Sequence, residues 1–153
     1  MIEGFKQTDK RLLPEIRKWG CVFLTLAECS PLCFIGAKGI EELNLRWKTL
    51  VKQGFITGDL NEDGDADDDG ESEIQSWQGV IDSFLIKAKY DGKHHNAEEK
   101  IPFEVKFVLG FYKWKGGHFV ELNKNKEVIY DSMGQSNTVK NGKLYTMRWL
   151  YAI

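Results

Sequence analysis

A chain of 153 residues with 42% hydrophobic and 29% charged residues has the composition of one globular domain, spanning residues 1–153, rather than of a disordered or fibrous protein. The formal net charge of -2 hides two opposed regions: residues 59–73 carry nine acidic and no basic residues, leaving 14 acidic against 21 basic residues elsewhere. No apolar run approaches the ~20 residues of a membrane span, and Met1–Lys6 lacks the basic and apolar regions of a secretory signal, so a cytoplasmic protein without a membrane partner is expected.

In chain order, residues 1–13 read as an irregular arm. Pro14 then opens a short helix through Lys18, a position where its missing N–H costs nothing. Val22-Phe23-Leu24-Thr25-Leu26-Ala27 is too continuously apolar for a surface loop. It predicts a buried helix from Cys21 to about Glu28, ended or bent by Pro31. Gly36 and Gly39 flank the start of an amphipathic helix in which Ile40, Leu43, Leu45, Trp47, Leu50 and Val51 recur at helical spacing, with Gly54 as its C-cap.

The acidic loop at 59–73 comes next. Asp59, Asn61, Asp63 and Gly64 match the first half of a calcium loop, and Asp65, Asp67, Asp69 and Gly70 match in a second register. Position twelve falls on Gly70 or Ser76 rather than on glutamate, so the bidentate ligand would have to come from Glu71 or Glu73. A structural calcium held by Asp59, Asn61, Asp63 and Asp65 therefore stands as an alternative to a solvated acidic loop. No cofactor is required by any other motif.

Ile74, Trp77, Val80, Ile81, Phe84 and Leu85 predict a third helix from Ile74 to Ala88. Lys89–Lys100 reads as a polar connector in which His94 and His95 are solvated and have no role. Phe103, Val105, Phe107 and Leu109 alternate, predicting a strand over Pro102–Tyr112. His118, Val120 and Leu122 share one face of the next strand, and Phe119 and Glu121 the other. Asn123–Lys126 is a turn and Val128–Tyr130 a second strand, so the pair forms a hairpin. Thr138–Lys143 is expected to be an Asn-Gly turn, leading into a closing strand from Leu144 to Ile153. Helices first and an antiparallel sheet afterwards predict an α+β domain, with the helices packed on the sheet.

That hairpin places the start of one strand beside the end of the next, so His118 should lie near Asp131, where a carboxylate can orient an imidazole. Such a pair needs a nucleophile from elsewhere. Cys21 is the candidate, because Gly20 breaks the chain and leaves it in the first turn of a helix, where unbonded N–H groups and the helix dipole favour a thiolate. Cys29 and Cys33 read as buried structural thiols. A metal site built from the three cysteines and His118 lacks the close ligand pairs of zinc sites.

A cysteine opening a buried helix, Thr25-Leu26-Ala27 after it, a later Gly117-His118-Phe119-Val120 strand and a Tyr130-Asp131 strand end together resemble the papain-like cysteine peptidase superfamily. Lys6-Gln7-Thr8-Asp9 is similar to the opening of its compact bacterial branch, the bacteriocin-processing-type peptidase domains and small phage-borne relatives. The resemblance implies a papain-like fold and a cysteine peptidase in which Cys21 is the nucleophile, His118 the general base and Asp131 its orienting partner. It also implies an oxyanion held by the backbone N–H of Cys21 and by Gln7. The substrate would be a peptide, a protein or a cell-wall peptide. Two departures stand out: the residues just before Cys21 are Arg17-Lys18-Trp19-Gly20, without the usual glutamine, and Val22 replaces a small residue. They leave open a catalytically inactive binding module of the same fold, calcium-dependent through the acidic loop. The basic residues are scattered along the chain, so nucleic acid is not expected as a partner.

Overall fold

The structure is a computed structural model that describes residues 1–58 and 73–153. The calcium-ligand expectations at Asp59, Asn61, Asp63 and Asp65 lie outside the described residues. The chain is α+β and divides into two compact units, Met1–Ile86 and Lys87–Ile153.

The first unit is mostly helical. Helix α1 (Pro14–Trp19) starts on Pro14, as expected, and α2 (Cys21–Cys29) follows after Gly20 alone. Within α2 every residue is buried except Cys21 and Glu28, which is why its sequence is apolar on all sides. Helix α3 (Gly36–Lys52) buries Ile40, Leu43, Trp47, Leu50 and Val51, whereas Leu45, expected on that face, is exposed. Gly54 follows with φ +79°, the left-handed residue that ends such a helix at no steric cost. The core centres on Phe23, whose ring meets Trp47 edge-on at 5.0 Å and lies 5.2 Å from Phe84. Trp47 keeps its indole N–H satisfied by donating to Glu15 (3.0 Å).

Two small sheets trim this unit. In the amino-terminal arm, expected to be irregular, β1 (Ile2–Glu3) pairs in parallel with β2 (Phe34–Ile35). Strand β3 (Ile56–Thr57) pairs antiparallel with β4 (Glu73–Ile74). The third helix is shorter than its periodicity suggested, α4 spanning Trp77–Ser83. Ile74 is taken by its partner Ile56, the Ser76 hydroxyl caps the helix by accepting from the Gly79 N–H (3.0 Å), and Leu85 turns left-handed at φ +57°.

The second unit is a mostly antiparallel sheet. Its strands are β5 (Ala88–Tyr90), β6 (His95–Asn96), β7 (Val105–Lys113), β8 (Gly117–Leu122), β9 (Val128–Tyr130) and β10 (Lys143–Ala152). The order is β5-β10-β7-β8-β9, with β6 also on β10. The segment expected to be a turn at 138–143 is instead a short helix, α5 (Asn137–Asn141), capped by Ser136. Its cause is topological: β10 pairs with β7 rather than with β9, so the chain needs a crossover there, not a hairpin. Ile101, Val105, Val108, Val120, Leu122, Met147 and Trp149 form the core of this unit. Among the described residues, no helix is long and apolar enough to cross a membrane.

Candidate functional site

The β8–β9 hairpin forms as the alternation of its residues required. Asn123 closes its turn, its side-chain oxygen accepting from the backbone N–H groups of Asn125 and Glu127 (2.9 Å each). With Glu121 opposite Tyr130, the start of β8 meets the chain just past β9. There His118 Nε2 lies 2.7 Å from Asp131 Oδ1. Both side chains are buried, at 9% and 5% exposure.

The carboxylate is held by more than the imidazole. Oδ1 also accepts from the Met133 N–H (2.9 Å) and Oδ2 from the Ser136 N–H (3.0 Å). The loop can wrap this closely because Gly134, at φ +88°, turns back to donate to the Asp131 carbonyl (2.8 Å). Burial alone would raise the Asp131 pKa, but the hydrogen bonds from His118, Ser136 and Met133 outweigh it and bring it down from 3.8 to about 2. These contacts stabilise the charged form. Asp131 is therefore an anion at any ordinary pH and can only accept, so Nε2 of His118 carries a proton and Nδ1 is the basic nitrogen of the neutral ring.

Gly117 precedes the histidine for a steric reason: a Cβ there would stand 2.1 Å from the Phe111 ring, which is itself packed against Phe119. The start of β8 is thus fixed from beneath by an aromatic pair.

In the other unit, Cys21 is the first residue of α2 and is partly exposed. Gly20 has no side chain to cap the helix, and the first intrahelical bond is from the Leu24 N–H to the Gly20 carbonyl (2.8 Å). The N–H groups of Cys21, Val22 and Phe23 precede that ladder, as in any helix start. Gly20 is required because a Cβ would lie 2.4 Å from the Ile16 carbonyl oxygen. This close joint between α1 and α2 is what sets Cys21 at a helix start.

Gln7 is buried in the same unit. Its amide nitrogen donates to the Ile16 and Arg17 carbonyls (3.1 Å each). An amide NH2 has two hydrogens, and these two bonds use both, so Gln7 braces the end of α1 in this state. Of the other cysteines, Cys29 is buried as expected, whereas Cys33 is exposed. Among the described residues, no three His, Cys, Asp or Glu side chains are grouped to hold a metal ion.

Sequence reasoning missed a second histidine site. His95, expected to be solvated, is buried and stacks on Trp149 with ring centroids 3.4 Å apart and planes 7° from parallel. Its Nε2 lies 2.7 Å from Asp91 and its Nδ1 3.4 Å from Glu99. The i, i+4 spacing of Asp91, His95 and Glu99 was the available signal, masked by the polar look of the segment. It also missed Ser136 and Met133, although an aspartate two residues before a backbone donor is an ordinary turn signature.

No known family, curated protein or solved structure matches this chain.

Proposed function

We propose that the protein is a papain-like thiol hydrolase that cleaves a peptide or amide bond. The observation that carries this reading is the buried His118–Asp131 pair at 2.7 Å, a carboxylate-oriented imidazole of the kind a thiol nucleophile needs. In the proposed reaction the Cys21 proton passes to Nδ1 of His118 and the sulfur adds to the carbonyl carbon. The oxyanion is met by the Cys21 backbone N–H. As the C–N bond breaks, the imidazolium returns the proton to the leaving amine. A water molecule, deprotonated by His118, then adds to the thioester carbonyl; the C–S bond breaks to release the carboxylic acid, and the proton passes from His118 back to the Cys21 sulfur.

Asp131 stays ionised throughout, since its pKa is about 2. Its role is to hold the ring tautomer and to stabilise the imidazolium. A peptidyl vinyl sulfone tests the reading: a single adduct at Cys21, lost in His118→Ala, is the expected result. Adducts spread over Cys21 and Cys33 alike would overturn it.

A second reading is a binding module of the same fold without turnover. It is favoured by the use of both Gln7 amide hydrogens on α1 carbonyls, which takes away the side-chain oxyanion donor. Full-length protein that shows no adduct with the vinyl sulfone but retains its fold would select this reading.

A further inference from the structure

The lysines look scattered in the sequence, but the sheet gathers several of them at the end that carries His118. Lys113 on β7 and Lys143 on β10 are direct register partners. Like charges placed opposite each other on neighbouring strands repel. Lys115 follows in the β7–β8 connection, and Lys140 lies on α5, which packs against β7, β8 and β10. All four are exposed, and among the described residues none has a carboxylate partner. No acidic residue occurs anywhere in 105–120 or in 132–153, so nothing in these segments offsets the charge.

Two large aromatic side chains are exposed in the same place. Trp114 is 43% and Tyr145 56% exposed. Tyr145 stands at the register shift between Leu144 and Thr146, where one extra residue interrupts the β7–β10 ladder. A bulge of this kind re-aims a side chain. Each ring has an ammonium over it: Lys113 Nζ is 4.8 Å from the Tyr145 centroid and Lys115 Nζ 4.8 Å from that of Trp114. The patch lies at the same end of the sheet as the candidate site: Tyr112 is the register partner of His118 and Lys113 that of Gly117, so Lys113 and His118 leave opposite faces one residue apart along the strands, and a peptide reaching both passes over the strand ends.

We propose that this lysine and aromatic patch is the substrate-docking surface and that it takes an acidic peptide segment. The carboxylates would meet Lys113, Lys115, Lys140 and Lys143, and the peptide's apolar side chains would lie on Trp114 and Tyr145. The assignment rests on the hydrolase reading for its choice of a peptide, and on the charge and exposed rings for its acidity. It explains why two lysines face each other across the ladder: an anion between them turns the repulsion into attraction.

Binding tests this apart from the chemistry. The probes are a fluorescein-labelled Glu-rich peptide containing one Phe, its counterpart with Gln in place of Glu, and a labelled oligodeoxythymidine. Anisotropy is measured with Cys21→Ala protein, which cannot turn over the probe by the proposed route. The expected result is preference for the Glu-rich peptide, weakened about tenfold or more by Lys113→Glu with Lys143→Glu and weakened by added salt. Equal binding of the Gln peptide, or insensitivity to the two substitutions, overturns the proposal. So does tighter binding of the oligodeoxythymidine, which would make the patch a nucleic-acid surface. Peptide preference with an unreactive Cys21 would leave the docking surface standing and remove the hydrolase reading alone.

Discussion

His118 donates through Nε2 to Oδ1 of Asp131 over 2.7 Å, and the same oxygen also accepts from the Met133 N–H. The imidazole is therefore oriented by a carboxylate that is itself fixed by backbone N–H groups of the following loop.

Acid stability follows from that arrangement. A carboxyl group whose pKa is lowered from 3.8 to about 2 on folding contributes stability above its unfolded value, and this is lost as pH falls from about 4 through 2. At about 1.4 kcal/mol per pH unit, the contribution is about 2 kcal/mol. Asp131→Asn should be less stable than the wild type near neutral pH, and the gap should close toward pH 2. Urea unfolding across that range measures it.

Gln7 should act on stability as well. Replacing it with Ala leaves the Ile16 and Arg17 carbonyls without their side-chain donor, which costs about 1–3 kcal/mol. The midpoint of urea unfolding should fall accordingly. An unchanged midpoint would mean that these bonds do not brace α1.

The His95 site carries a third expectation. His95→Ala removes the stack on Trp149 and strips Asp91 of its 2.7 Å partner. A loss of about 2–3 kcal/mol is expected from the combined packing and polar terms. Hydrogen exchange should localise the loosening to β6 and the adjoining part of β10. Thermal unfolding indistinguishable from wild type would contradict it.

How far the sequence could be read depends on how local the deciding interactions are. The Cys21–Cys29 helix and the His118–Tyr130 hairpin were legible because continuous apolarity, strict alternation and an Asn-rich turn are written within a few residues. The meeting of His118 with Asp131 followed from hairpin geometry alone. The end of α4 was not legible, since Ile74 and Leu85 fit the helical spacing but are claimed by a partner strand and by a left-handed turn. His95 was misread because its burial depends on Trp149, more than fifty residues away. The pairing of Lys113 with Lys143 was likewise invisible, since it exists only once β10 has chosen β7 as its neighbour.

The most direct test of the central claim is the rate of iodoacetamide alkylation at each cysteine, resolved by peptide mass spectrometry as a function of pH. Cys33, which is exposed, supplies the internal reference for an ordinary thiol. Cys21 should react faster than Cys33 near and below neutral pH, by about tenfold or more, and His118→Ala should reduce Cys21 to the reference rate. Equal rates at the two cysteines in the wild type, with no response to His118→Ala, would contradict it.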